Sequence, residues 1–141
     1  MSFETSIELP ATVDEVFRHL TDPVAMIRWM GQHATLHPSV GGAFEVDING
    51  VPVRGRYLEV DPPHRVVVSW GGAGSDDMPP GATRVEFTLT PIPTGTRLHL
   101  VHGNLPDSQA QRHGVGWRHF LDRLVLAAAG TDPGPDPWNL S

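Results

Sequence analysis

The sequence predicts an α+β fold: a curved antiparallel sheet wrapped around a long C-terminal helix, with two short helices after the first strand and a largely apolar cavity inside. Three observations predict it. Apolar and polar residues alternate with period two in several short stretches between Phe3 and His102. Two capped helix starts follow the first strand. After Pro106-Asp107 the apolar period becomes helical and holds to Ala128. Strands in one block with helices at its ends are the mark of an α+β domain with hairpin connections.

Phe3, Ile7 and Leu9 share one parity, against Glu4, Ser6 and Glu8, and predict a half-buried first strand. Thr12-Val13-Asp14-Glu15 matches a capping box, and Val13, Val16, Phe17 and Leu20 form the apolar stripe behind it. Asp22-Pro23 starts a second, short helix that ends near Trp29-Met30-Gly31. Phe44, Val46 and Ile48 then alternate with charged residues up to Asn49-Gly50, a type I′ hairpin signal. The returning strand runs from about Val51 to Val60, with a slip after Tyr57 that predicts a bulge.

Asp61-Pro62-Pro63-His64 turns the chain into the strand Arg65 to Trp70. Gly71 to Gly81 is polar and rich in Gly and Pro, which predicts a flexible loop and a candidate lid. Val85, Phe87 and Leu89 mark the next strand. In the last strand, Leu98, Leu100 and His102 share one face. Ala110, His113, Trp117, Phe120, Leu121, Leu124 and Ala128 fall on one stripe of the final helix. Gly114 and Gly116 each cost about 1 kcal/mol there relative to Ala, which predicts close packing or a kink. Gly130 stops the helix. Residues 1–130 are expected to form one domain, and 131–141 an irregular tail with three prolines, whose Trp138 and Leu140 are candidates to dock back.

The chain of 141 residues carries a formal net charge of −6. That balance disfavours nucleic acid as a partner, although eight histidines would reduce it near pH 6. There is no cysteine, which excludes disulfides and thiolate chemistry and fits a cytoplasmic location. No signal peptide and no membrane insertion are expected.

Several strings resemble a known family. They are Ala11-Thr12-Val13-Asp14-Glu15-Val16-Phe17, Leu20-Thr21-Asp22-Pro23, Trp29, and Val40-Gly41-Gly42-Ala43-Phe44. Gly55-Arg56-Tyr57-Leu58-Glu59-Val60-Asp61-Pro62-Pro63, Val66-Val67-Val68-Ser69-Trp70, Gly95-Thr96-Arg97-Leu98 and Gly116-Trp117 complete the set. In this order, over roughly residues 5–128, they resemble the helix-grip fold of the START-like, birch-pollen-allergen-like (SRPBCC) superfamily. Within it the chain is similar to the branch related to the C-terminal domain of the activator of the 90-kDa heat-shock protein ATPase. The resemblance implies an internal cavity for a lipid-like or other small hydrophobic molecule. It also implies, as alternatives, an enzyme using that cavity for isomerisation, cyclisation or hydrolysis, or a heat-shock ATPase accessory acting by surface contacts. A homodimer is compatible with it.

The expected cavity wall is Trp29, Phe44, Tyr57, Trp70, Phe87, His102, His113, Trp117 and Phe120, with Tyr57 and the tryptophans offering polar handles. For each aromatic the plain alternative is a core position. His102 and His113 are the candidate catalytic groups, facing each other across the cavity as base or orienting group. The plain alternative for them is a buried imidazole bonded to backbone. No metal site and no cofactor are expected. His33 and His37 have a helix-face spacing, but no Glu follows His33 and no third ligand is near. His19, His64, His99 and His119 read as solvated. Asp76-Asp77 reads as solvating charge, and Glu59 and Glu86 as ladder partners of Arg56, Arg84 or Arg97. There is no nucleophile elbow around Ser69 and no Walker sequence.

Overall fold

Thr12 fixes the start of the first helix, its Oγ1 accepting a hydrogen bond from the Glu15 backbone N–H at 3.2 Å. The computed structural model describes residues 2–137. Its elements are β1 (Phe3–Leu9), α1 (Val13–Thr21), α2 (Pro23–Trp29), β2 (His33–Leu36), β3 (Ala43–Ile48) and β4 (Val51–Asp61). They continue with β5 (Arg65–Trp70), β6 (Thr83–Ile92), β7 (Gly95–Gly103) and α3 (Asp107–Ala128). Seven strands form one antiparallel sheet in the order β1-β7-β6-β5-β4-β3-β2. The α+β arrangement that the sequence predicts is present, with two short helices after the first strand and α3 laid against the sheet through Trp117.

The caps explain the helix boundaries. Only half of the capping box forms, because the Glu15 carboxylate turns to Arg18 at 2.6 Å. Asp22 ends α1 and caps α2, its Oδ1 accepting from Val24 N at 3.1 Å, with Pro23 at the first position. The end of α3 closes by a Schellman pattern: Gly130 N donates to Ala127 O and Thr131 N to Leu126 O, with Gly130 at φ 87°. Gly114 sits inside an unbroken helix. A Cβ there would lie 2.9 Å from the Phe3 ring, so the glycine serves close packing of α3 on β1.

The sheet bends at β4. This strand pairs with β3 up to Arg56 and with β5 from Tyr57 onward, and the register shifts between Tyr57 and Glu59. At Gly55 the backbone of β5 comes so close that a Cβ would fall 1.8 Å from Ser69 O. Asn49 and Gly50 have φ 49° and 86°, the type I′ turn their sequence predicts.

Several surface expectations are corrected. His33–Leu36 is a strand at the sheet edge, which the sequence reading left unassigned. His19 is fully buried, not solvated, and its Nδ1 lies 2.8 Å from Glu15 O. His119 is half-buried and 2.7 Å from Asp136. Arg65, not Arg56 or Arg97, pairs with both Glu59 and Glu86, and Arg84 is only 3.9 Å from Glu86. The Gly71 to Gly81 loop is tied down. Gly72 N donates to Met78 O, Ala73 N donates to Pro52 O, and Met78 is buried. Residues 131–137 form no helix or strand, and Trp138 and Leu140 lie outside the described residues.

Candidate functional site

The core is threaded by aromatic rings in contact. Phe44 meets Tyr57 edge-on at 5.7 Å and Trp70 at 5.8 Å. Trp70 lies 5.2 Å from Trp117, which meets the Phe87 edge at 5.9 Å. These rings come from β3, β4, β5, β6 and α3, and their inward parity along each strand brings them together.

A cavity of about 200 Å³ opens at one end of this core. Its walls are the tip of the β3–β4 hairpin (Ile48, Val51, Val53), Trp70 and the following loop, Met30, and one face of α3. It is not sealed. Val51 and Arg112 are exposed, and they mark its mouth. Of the expected wall residues, Trp70, His113, Trp117 and Phe120 border the cavity. Trp29, Phe44, Tyr57, Phe87 and His102 do not; they are buried deeper in the core.

The handles expected of Trp29 and Tyr57 are spent on α1. Trp29 Nε1 donates to His19 O at 2.9 Å and Tyr57 OH to Leu20 O at 2.9 Å. Both carbonyls belong to the last turn of the helix, where no intrahelical partner exists. Burial raises the Tyr57 pKa, so its proton stays in place.

His102 is buried completely, and both of its nitrogens are bonded. Trp117 Nε1 donates to Nδ1 at 3.0 Å, which makes Nδ1 the acceptor. Nε2 therefore carries the proton and faces Thr83 Oγ1 at 2.8 Å, and that hydroxyl donates to Trp70 O at 2.7 Å. Burial, and secondarily the neighbouring His113, push His102 down to about 3. The ring is a neutral strut with no lone pair left for a substrate.

His113 differs. Its ring stands perpendicular to His102, 5.2 Å away, and borders the cavity. Nδ1 lies 3.1 Å from Gln109 O, one turn back on α3. Burial holds the group below the usual histidine range, against the opposing pull of the Gln109 carbonyl.

The loop over the cavity is latched to α3. Asp77 accepts from Ser75 Oγ at 3.1 Å, Ser108 Oγ at 3.3 Å and Gln109 Nε2 at 2.9 Å. These bonds, led by that from Gln109, lower its pKa. The sequence reading of Asp76-Asp77 as solvating charge holds nothing of this latch. Met30, Ile48, Val53 and Met78 are further wall residues that the sequence did not announce. One apolar residue in the polar stretch before Pro79-Pro80 was the available sign for Met78. Among the described residues no three His, Asp or Glu side chains converge as for a metal ion. No helix among them is long and apolar enough to cross a membrane.

Known structures place this architecture. The AHSA1-like protein RHE_CH02687 of Rhizobium etli is 41% identical over 99% of this chain and 88% of its own, with a TM-score of 0.78. DynU16, from the dynemicin biosynthetic locus, is 26% identical and superposes at a TM-score of 0.83 over 98% of this chain and 51% of its own. The Aha1 dimer of Colwellia psychrerythraea shares the fold at 17% identity, with a TM-score of 0.79 over 96% of this chain and 99% of its own. A search of curated proteins returns no match. The model of the family described as Activator of Hsp90 ATPase homolog 1-like protein matches residues 10–129, and the chain belongs to that family.

Proposed function

We propose that this protein binds a small, largely apolar molecule in the cavity between α3, the β3–β4 hairpin and the loop after β5. The observation that carries the reading is the cavity itself: Trp70, Trp117, Phe120 and Met78 face an open hollow beside a mouth at Val51. Side chains of this kind gain by covering a guest, at about 25 cal/mol per Å² of apolar surface removed from water. The likeness to DynU16, from a natural-product locus, supports an aromatic or polyketide-like guest. Binding without chemistry is favoured over an enzyme because, of the two candidate catalytic histidines, His102 has both nitrogens engaged inside the core and His113 is left without it as an acid–base partner.

The test is a titration with 2-methylnaphthalene, read by tryptophan fluorescence and by the melting temperature. Saturable quenching is expected, with a stabilisation of about 2.7 kcal/mol at a free concentration one hundred times Kd. Val51→Trp covers the mouth with a side chain suited to a strand, and is expected to weaken binding about tenfold or more without loss of stability. Absence of saturable binding by this probe and its larger aromatic homologues would refute the reading.

A further inference from the structure

Among the described residues, His113 is the one histidine that borders the cavity. Its Nδ1 points at a carbonyl oxygen, and a carbonyl only accepts, so Nδ1 carries the proton. Burial disfavours a second proton, so Nε2 keeps its lone pair. With Nδ1 turned back onto the helix, the ring edge left for the cavity holds Nε2, which makes no hydrogen bond among the described residues. Neighbouring donors are engaged elsewhere: Trp117 Nε1 on His102, and Ser75 Oγ and Gln109 Nε2 on Asp77.

We infer that His113 Nε2 is the polar anchor of the cavity and that the guest is a neutral hydroxyl donor, a phenol or enol on an apolar skeleton. This rests on the binding function proposed above and narrows it to one ligand class. The groups around the ring agree. His102 on β7 is neutral and fully bonded. Arg112 on α3 acts on the ring as a positive charge and opposes a cationic guest. Arg112 would attract a carboxylate, but Asp77 on the loop acts on the same ring as a negative charge, and a carboxylate has no proton to give the Nε2 lone pair. A neutral O–H meets neither objection and gives the lone pair its partner.

The experiment compares 2-naphthol with 2-methylnaphthalene, which match in shape and differ in the donor. Wild-type protein at pH 8 is expected to prefer 2-naphthol roughly fivefold to tenfold, the usual worth of one buried hydrogen bond. His113→Phe is expected to reduce that ratio to about one while 2-methylnaphthalene still binds. His113→Gln, whose amide oxygen accepts, is expected to restore part of it. In wild-type protein, the ¹⁵N resonance of His113 Nε2 should shift to lower frequency with 2-naphthol while remaining in the unprotonated-nitrogen range, as for an acceptor of a neutral hydrogen bond, and should stay in place with 2-methylnaphthalene. That measurement needs no variant to fold. Equal affinities for the two probes, or an Nε2 resonance indifferent to the hydroxyl, would overturn this inference and leave the cavity reading standing. Failure of both probes to bind would overturn the cavity reading, and this one with it.

Discussion

His102 shows how one side chain links the sheet, the helix and the loop. Its ring accepts a hydrogen bond from Trp117 and faces Thr83, which in turn donates to the carbonyl of Trp70. The inward parity of His102 was legible from Leu98 and Leu100. Its partners were not, because Thr83 and Trp117 are 19 and 15 positions away and meet it only through strand pairing and helix packing. The sign of its pH effect follows from the lowered pKa. The unfolded chain takes up a proton near 6.5, and the folded ring only near 3. Its contribution is therefore full above pH 6.5 and is lost as pH falls toward 3, at up to about 1.4 kcal/mol per pH unit. His113 shifts in the same direction. His102→Gln keeps an acceptor for Trp117 and a donor for Thr83 but does not titrate. Urea unfolding of both proteins between pH 7.5 and pH 5 should show a steeper loss of stability in the wild type. Equal slopes would mean that His102 is not held neutral by the core.

Among the elements, those with a strong local signal were legible. The capped helices, the Asn49-Gly50 hairpin and the slip after Tyr57 all follow from residues that dictate their own backbone. The strand His33–Leu36 was hidden because four residues show too little alternation, and its position at the sheet edge depends on β3. The packing of the loop after β5 was hidden for a related reason. Its composition is that of a mobile segment, yet Gly71 lies where a Cβ would fall 1.8 Å from Pro79 O, and Met78 is buried. The latch by Asp77 predicts its dynamics. Asp77→Ala removes the acceptor for Ser75, Ser108 and Gln109. Asp77 is at the surface, so global stability should change little, whereas amides from Gly72 to Met78 should exchange faster, by local opening. Unchanged exchange there would show that the backbone bonds to Pro52 and Met78 hold the loop alone.

For the molecule as a whole, the inward parity of the sequence predicts one apolar cavity walled by residues from Trp29 to Phe120. The structure fills most of that space: Trp29, Phe44, Tyr57 and Phe87 are packed solid, and the cavity survives only toward the hairpin and the loop. Periodicity tells which side chains face inward, but their volume and mutual packing decide where space remains. Residues 131–137 belong to the same question. Asp136 bonds His119 on α3 and Asn49 on the hairpin, and Gly134 O accepts from Arg123 Nη2 at 2.9 Å. These are polar ties on a segment without regular structure. Each is worth about 1 kcal/mol, and the ordering of the segment opposes them. A chain ending at Gly130 should therefore still unfold in one cooperative step, with a melting temperature lower by roughly 3–8 °C. It should also keep 2-methylnaphthalene affinity within about threefold, since the described wall residues run from Met30 to Phe120. A truncated chain that unfolds without cooperativity would place residues 131–137 within the folding unit. One that folds but no longer binds would make the tail part of the site.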